Sequence, residues 1–173
     1  MRTMGFAIHW LAPASKKPVA GEWSTAPIMD ETDLRATYRR GLNVGFRPGK
    51  FSVVNGHEIC VLDIDIRGGE AYRDEAYAAA KSMLGGAFRP NVISGSGVGR
   101  HIYLAFAMGA SPAKAATTLR QSDVLVDDTG AYCSVGTVGA RPAWLIELLS
   151  TGKNVVLPPS LHPDTNKPYT WAD

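Results

Sequence analysis

An apolar run at residues 59–62 continues into an alternation of acidic and aliphatic side chains that ends at residue 66. The run is short, partly β-branched and bounded by Asn-Gly and Gly-Gly pairs, a pattern that favours a buried strand over a helix. Successive side chains of a strand point to opposite faces, so we expect Asp63 and Asp65 to project side by side from one face. The aliphatic residues beside them would then face a core.

The rest of the pattern alternates between helical and extended segments. It predicts a first helix that Asp30 or Thr32 caps and that runs to about residue 40, and further helices at residues 70–84, 111–121 and 141–149. Strands are predicted at residues 43–46, 51–54, 91–94, 100–106, 124–126, 155–157 and 169–171. From residue 58 onward the order is strand, helix, two strands, helix, strand. This order resembles the split βαβ arrangement, in which helices pack on one face of a sheet.

Composition narrows the class of protein. With 173 residues, 45% of them hydrophobic and 20% charged, the chain is expected to fold as one globular domain. It has no apolar run that could span a bilayer and no signal-peptide pattern, so we expect a cytoplasmic protein without a membrane partner. Cys60 and Cys133 are interpreted as buried thiols in a reducing compartment, and without a Cys-x-x-Cys pair we expect no zinc.

The net charge of +2 indicates no partner, but the distribution of charge is uneven. Residues 1–50 carry eight Lys or Arg against four acidic residues, which is compatible with a phosphate-rich partner and equally with a solvated mixed surface. Arg39, Arg40, Arg47 and Lys50 are the candidates for contact with a nucleic-acid backbone.

Two carboxylates on one face beside a core repel each other, and a divalent cation commonly offsets that repulsion. Magnesium prefers oxygen ligands and is usually held by one or two carboxylates together with substrate phosphates. Asp63 and Asp65 are therefore candidate metal ligands. The alternative is that both lie at a strand edge and are solvated.

The segment 94–101 joins two predicted strands and is rich in glycine and serine. Glycines such as Gly97 allow the backbone N–H groups to approach an anion, and Ser94, Ser96, Arg100 and His101 add polar or basic side chains. We interpret the segment as a candidate phosphate-binding loop. A plain hairpin loop with the histidine in the core is the alternative.

A third carboxylate could complete a metal site. Asp127 follows an apolar strand, and if that strand lies next to the one with Asp63 and Asp65, three carboxylates meet at one sheet end, enough for two cations. The alternatives are that residues 127–130 form only a turn, or that Asp123 or Asp128 is the relevant acid.

The proline-rich segment 158–163 is too stiff for a helix. It presents Ser160 and His162, either as part of a rigid exit from the last core strand or as hydrogen-bonding groups for a nucleotide.

In this order along the chain, these motifs resemble the archaeo-eukaryotic primase (AEP) superfamily, and within it the bifunctional primase–polymerase (Prim-Pol) domain of plasmids, phages and mobile elements. The resemblance rests on Asp63-Ile-Asp65, the segments 94–104 and 124–127, and residues 155–162 and 169–171, with Lys17-Pro18, Trp23 and residues 42–45 upstream. Two features depart from the family pattern: Gly99 stands where a serine is frequent, and residues 132–152 appear as an insertion.

The resemblance implies roles for individual residues. Asp63 and Asp65 match the metal ligands of the first motif, His101 the triphosphate-contacting histidine of the second, and Asp127 the acid of the third. It further implies an α/β (α+β) fold, with an RRM-like split βαβ palm sheet and helices on one face (residues 56–173) and a small N-terminal αβ module (residues 1–55). We also expect the single catalytic domain to be excised from a longer replication protein.

The implied reaction is template-directed nucleotidyl transfer to a 3′-hydroxyl with pyrophosphate release, aided by two Mg²⁺ or Mn²⁺ ions. The implied partners are nucleoside triphosphates, single-stranded or primed DNA, and a helicase, fused or in trans. Two alternative functions remain: a catalytically inactive nucleic-acid-binding replication-initiator module, and a metal-dependent nuclease.

Overall fold

The structure, a computed structural model, describes residues 5–113 and 116–172. Two helices lie within these ranges, α1 (Glu31–Thr37) and α2 (Arg73–Leu84). The strands are β1 (Ala7–Leu11), β2 (Asn43–Arg47), β3 (Gly49–Val54), β4 (His57–Ile66), β5 (Val92–Ile93), β6 (Arg100–Ala107), β7 (Ala116–Gln121), β8 (Leu125–Val126), β9 (Tyr132–Cys133), β10 (Arg141–Pro142), β11 (Trp144–Leu149), β12 (Val155–Leu157) and β13 (Thr170–Trp171).

The central sheet is organised around β4, its longest strand. Seven strands belong to it, in the order β13-β5-β6-β4-β11-β7, with β3 paired to β4 as an additional neighbour. The β3–β4 hairpin turns at Asn55 and Gly56, which have φ angles of 49° and 76°. Such left-handed conformations are typical of the Asn-Gly turn that the sequence indicates. Strands β1, β2 and β12 form a second, three-stranded sheet.

The two faces of β4 have different neighbours. Leu62, Ile64 and Ile66 pack against Ala76 and Ala80 of α2. On the opposite face, a hydrophobic cluster that includes residues of the three-stranded sheet covers the first half of β4. This alternation follows from the period of two in a strand, and it directs the carboxylates of β4 away from α2.

All strand pairings within the described ranges are antiparallel. With two helices and three sheets, the expected α+β class is confirmed. β4 and β5, which α2 connects, flank β6 in the sheet, and this is the split βαβ order. The closer RRM-like resemblance, and a module boundary after residue 55, stay predictions.

Helix α1 begins where the sequence indicates. Asp30 is its N-cap and accepts a hydrogen bond from the backbone N–H of Asp33, whose carboxylate accepts one in return from the backbone N–H of Asp30. This reciprocal pair satisfies two N–H groups that the helix leaves unbonded. The helix ends at Thr37, three residues before the predicted end. Neither helix of the described ranges is long and apolar enough to cross a membrane.

The helix predicted at residues 111–121 is wrong where the structure describes it. Residues 116–121 form β7, which pairs with β11, while Lys114 and Ala115 lie outside the described residues. Thr117 and Thr118 are β-branched and suit the pleated surface of a sheet. Pairing with a neighbouring strand therefore outweighs the helix propensity of the preceding alanines.

The helix predicted at residues 141–149 is also wrong. These residues form β10 and β11, and β11 lies between β4 and β7 in the sheet. A central strand with apolar contacts has a nearly continuous hydrophobic sequence. The periodicity of such a sequence does not distinguish a strand from a buried helix.

The packing between the sheet and α2 can be tested by a substitution at Ile146 of β11. Its side chain is fully buried in the cluster that also contains Ile64 and Ala76. We expect Ile146→Ala to lower the free energy of unfolding by about 2–5 kcal/mol, because it removes buried apolar surface and leaves a cavity. Urea denaturation measures this.

The matched control is Leu119→Ala on the adjacent edge strand, where the leucine is exposed. Its effect should be within about 0.5 kcal/mol. Equal losses in both variants would contradict the packing described for β11.

Candidate active site

A row of three functional side chains crosses the central sheet. Asp63 of β4 lies directly opposite His101 of β6 on one side and Glu147 of β11 on the other. Residues directly opposite in antiparallel strands share a face, with Cβ atoms about 4.5–5.5 Å apart. Asp65 projects from the same face two positions further along β4. The row and Asp65 together present three carboxylates and one imidazole on this face.

The electrostatics of Asp63 are those of a crowded carboxylate. Burial, and then the negative charge of Asp65, raise its pKa to about 6, although Lys16 and Arg67 oppose the shift. The Nε2 atom of His101 lies 3.6 Å from Oδ1 of Asp63. Burial, with a contribution from Lys16, lowers the pKa of His101 to about 4, so this contact joins a carboxylate to a neutral imidazole at pH 7.

Two basic side chains balance the carboxylates. The Nε and Nη2 atoms of Arg67 lie 3.0 and 2.9 Å from Oδ2 of Asp65. Lys16 approaches from a loop of the N-terminal segment and makes a hydrogen bond with Tyr169. Burial alone would lower the pKa of Lys16, but the charges of Tyr169, Asp63 and Asp65 outweigh burial and raise it.

Tyr169 joins the two histidines of the site. Its ring lies 5.8 Å from that of His101 and 5.7 Å from that of His162. It is almost fully buried, and a hydrogen bond with Ser94 also involves its side chain. The Nδ1 atom of His162 accepts a hydrogen bond from the backbone N–H of Asp164 at 3.2 Å, so the proton of the neutral ring is on Nε2.

Four of these residues were absent from the site that the sequence predicted: Lys16, Arg67, Glu147 and Tyr169. Glu147 lies in a segment predicted as a helix, and nothing in the sequence pattern indicates that it pairs with Asp63. Lys16 belongs to a polar loop, and the position of a loop over a sheet is not encoded in local pattern. Tyr169 was predicted only as part of a terminal strand.

The loop at residues 94–99 is a tight turn rather than an open anion site. The backbone N–H groups of Ser96, Gly97 and Gly99 donate to Ser94 Oγ, Ser94 O and Ser96 Oγ, respectively. Gly97 has a φ of 88°, and a Cβ on Gly95 would lie 2.3 Å from the carbonyl oxygen of Lys167. These glycines serve the turn and its packing, which does not support a role of their N–H groups in phosphate binding, and that role stays a prediction.

Arg100 lies on the opposite face from His101, although the two are adjacent in sequence. It pairs with Ile64, its guanidinium donates hydrogen bonds to the carbonyl oxygens of Gly97 and Gly99, and it lies over the ring of Tyr77. The period of two in a strand separates it from the site. This facing does not support the expectation that Arg100 positions phosphates, which stays a prediction.

Ser160 has a structural role in the described fold. Its buried hydroxyl accepts a hydrogen bond from the backbone N–H of Val44 and donates one to the carbonyl oxygen of the same residue. The hydroxyl has both partners within the protein, which does not support a contact of Ser160 with a nucleotide, and that contact stays a prediction. Ser96, in contrast, is exposed.

The carboxylate of Asp127 is engaged in a turn of its own. Its Oδ1 accepts hydrogen bonds from the backbone N–H and hydroxyl of Thr129 and from the backbone N–H of Ala131, which makes it the centre of a turn. Asp128 pairs with Arg141, and Asp123 lines a groove beside α2. β8 pairs with β9 and β10, and β11 is the strand beside Asp63. Asp127 as the third ligand therefore stays a prediction, and Glu147 of β11 is a second candidate.

The proposed nucleic-acid contacts divide into two groups. Arg39, Arg40 and Lys50 are exposed. Arg47 is 3% exposed, and its guanidinium donates to the carbonyl oxygens of Trp23 and Ala26. Arg47 thus holds a loop in place, which does not support the expectation that it contacts a template, and that contact stays a prediction.

The donor set suits a hard divalent cation. Within the described ranges, no three or more His, Cys, Asp or Glu side chains are placed closely enough to hold a metal ion as they stand. Asp63, Asp65 and Glu147 nevertheless share one face of adjacent strands, and the raised pKa of Asp63 indicates a carboxylate whose charge is incompletely balanced. Oxygen ligands of this type fit magnesium or manganese.

Comparison with known proteins identifies the family. The family model described as bifunctional DNA primase/polymerase, N-terminal (Prim-Pol), matches residues 1–173. The chain belongs to this family. The resemblance noted in the sequence is thereby confirmed, and the general function of the Prim-Pol family is DNA priming and polymerisation. Nucleotides and DNA are the substrates that this function implies. Searches of curated proteins and of solved structures found no match.

The crowding of Asp63 predicts how the stability of this Prim-Pol domain depends on pH. Its folded-state pKa of about 6 lies above the ordinary value of 3.8, so its contribution to stability is present below pH 4 and is lost as pH rises through 6. Asp63→Asn removes the ionisable carboxylate and therefore also the loss of stability above pH 6. Without metal at pH 8 the variant should be more stable than the wild type by up to about 3 kcal/mol.

Thermal unfolding in EDTA at pH 8 and pH 4 measures this difference, which should shrink at the lower pH. Asp127→Asn is the control, because its internal hydrogen bonds lower the pKa of Asp127 and the replacement should bring no gain. A less stable Asp63→Asn at pH 8 would show that the carboxylate is not strained.

Proposed function

We propose that this domain is a template-directed DNA primase/polymerase, which transfers nucleotides to a 3′-hydroxyl with release of pyrophosphate at the row His101–Asp63–Glu147. The observation that carries the proposal is this row itself, in a chain of the Prim-Pol family. A nucleic-acid-binding module would have no use for three carboxylates on one face of a sheet.

Asp63, Asp65 and Glu147 would hold the divalent cation. When bound, such an ion lowers the pKa of an attacking hydroxyl and balances the charge of the phosphates. Glu147 takes the place that the sequence prediction assigned to Asp127, because it is the carboxylate in the strand next to Asp63. Arg67 keeps Asp65 oriented through its two N–H contacts.

His101 would bind the triphosphate as a neutral donor. Its Nδ1 atom is buried without a hydrogen-bond partner in the described structure, so Nε2, which faces Asp63, is the nitrogen directed to the site. A neutral imidazole donates one hydrogen bond to a phosphate oxygen without adding a charge beside the cation. His162 carries its proton on Nε2 as well and would donate it to a sugar or phosphate oxygen.

The exposed residues Arg39, Arg40 and Lys50 would contact the template backbone through charge, which carries no sequence information. A helicase partner remains a proposal from the family resemblance. The domain is proposed to act on single-stranded or primed DNA.

Primer extension on a template with a single-stranded overhang tests the function. Asp63→Ala/Asp65→Ala should lower extension by at least about a hundredfold, because the double variant loses the ligands of the cation. Circular dichroism and DNA binding serve as controls for folding. Extension that survives in the double variant contradicts the proposal, and shortening of DNA with Mn²⁺ but without nucleotides would indicate the nuclease instead.

A second comparison decides which residue is the third acid. Glu147→Gln should lower extension about 10–100-fold, the range found when groups of a metal site are removed. Asp127→Asn, a substitution of the same type in the turn that follows β8, should leave the rate within about twofold of the wild type, since the asparagine can keep its turn hydrogen bonds. The reverse pattern would restore Asp127 to the site and exclude Glu147.

A further inference from the structure

The loop that carries Lys16 is held over the site from two sides. The side-chain amide of Asn154 donates a hydrogen bond to the carbonyl oxygen of Lys16 at 2.8 Å, and that of Asn43 donates one to the carbonyl oxygen of Ser15 at 3.0 Å. The backbone N–H of Ala12 donates to the carbonyl oxygen of Lys17 at 2.8 Å. Three successive residues of the loop are therefore fixed by their backbone.

Asn154 is itself positioned by the residues around it. Its Oδ1 accepts a hydrogen bond from Nε2 of His9 at 2.8 Å, since its amide nitrogen already donates to Lys16. A Cβ on Gly45 would lie 2.5 Å from the same Oδ1, so glycine at this position leaves the space that the asparagine occupies. We call the hydrogen bonds from Asn154 and Asn43 to the Lys16 loop the clamp. The clamp depends on strands β1 and β2 as well as on the loop before β12.

The side chain of Lys16 extends from this clamp into the site. It bonds to Tyr169, whose ring lies 5.8 Å from His101, and His101 in turn contacts Asp63. Lys16 is exposed as a residue, while its backbone carbonyl is held by Asn154. Its ammonium is a compact charge with three donors, of the kind that binds phosphate groups.

A phosphate ligand in this site requires a positively charged side chain, and Lys16 can supply one. A nucleoside triphosphate brings negative charge next to three carboxylates, whereas Arg100 faces the other side of the sheet and Arg67 is bound to Asp65. Of the basic groups that act on Asp63, Lys16 is the one without such a bidentate carboxylate contact.

We propose that Lys16 is a polyphosphate-binding residue: it balances Asp63 and Asp65 in the empty site and moves to the phosphate tail of an incoming nucleotide when the site is loaded. Asn154 is a positioning residue for it. This inference rests on the proposed function for the identity of the nucleotide, but not for the binding of phosphate.

Equilibrium binding tests the proposal without turnover. The probes are dATP, inorganic tripolyphosphate and deoxyadenosine, each titrated calorimetrically into the full chain with Mg²⁺ and without DNA. Lys16→Gln should weaken the binding of dATP and of tripolyphosphate about tenfold or more and should leave deoxyadenosine unchanged. Lys16→Arg should restore most of the loss, because it keeps the charge.

The matched control is Lys17→Gln, which removes the same charge from the next residue of the same loop. It should change the Kd of tripolyphosphate by less than twofold. Equal losses at both positions would show a general effect of charge, and unchanged binding in Lys16→Gln would show that Lys16 is only a counter-charge of the carboxylates. Either result overturns the proposal.

A double-variant cycle tests the clamp. Asn154→Ala should raise the KM for dATP in primer extension more than it lowers kcat, and in the Lys16→Gln background it should raise the KM little further, because both changes act through one side chain. Additive effects would reduce Asn154 to a structural residue and overturn its positioning role.

The outcomes separate this inference from the proposed function. Binding of tripolyphosphate that depends on Lys16, in a protein that extends no primer, would reject the polymerase and retain the phosphate site. Primer extension that is insensitive to Lys16→Gln would retain the polymerase and reject the inference.

Discussion

The repulsion between Asp63 and Asp65 is the constraint on which the rest of the site depends. Two carboxylates share one face of the central strand, next to a hydrophobic core, and burial raises the pKa of Asp63 to about 6. Such an arrangement persists only where other groups offset the unfavourable charge. Here Arg67 binds Asp65, and Lys16 reaches the pair from the N-terminal segment. The protein therefore holds a strained carboxylate pair whose repulsion a bound cation would relieve.

The fold exposes this pair by covering the sheet unevenly. Helix α2 packs on one face, and the sheet of β1, β2 and β12 packs on part of the other, so the row of functional side chains stays at the border of a core. Loops from both ends of the chain then approach the row. Asn43 joins them, since its amide donates to the carbonyl oxygens of Ser15 and Leu161. The site is thus assembled from segments that are distant in sequence but share hydrogen bonds.

Strand geometry also explains which polar residues are excluded from the site. Arg100 and His101 are adjacent in sequence, yet they point to opposite faces of β6 and have unrelated roles. Arg47 is basic and lies in the positively charged first third of the chain, but its guanidinium satisfies two carbonyl oxygens inside the protein. Charge and proximity in sequence are therefore weak guides to function when a residue lies in a strand, because burial and facing are set by the neighbouring strand.

The sequence by itself determined the features that depend on local pattern. These are the strand that carries Asp63 and Asp65, their common face, the Asn-Gly turn before it, the first two helices and the family. The periodicity of hydrophobic positions, the residue types of turns and helix capping all involve residues close in the chain, so they can be predicted without a structure. Only the tertiary structure decided that residues 144–149 form a strand, that Glu147 rather than Asp127 lies beside Asp63, and that Lys16 reaches the site. Those outcomes depend on strand order and on the path of loops, which arise from packing between distant segments and leave no periodic signal in the sequence.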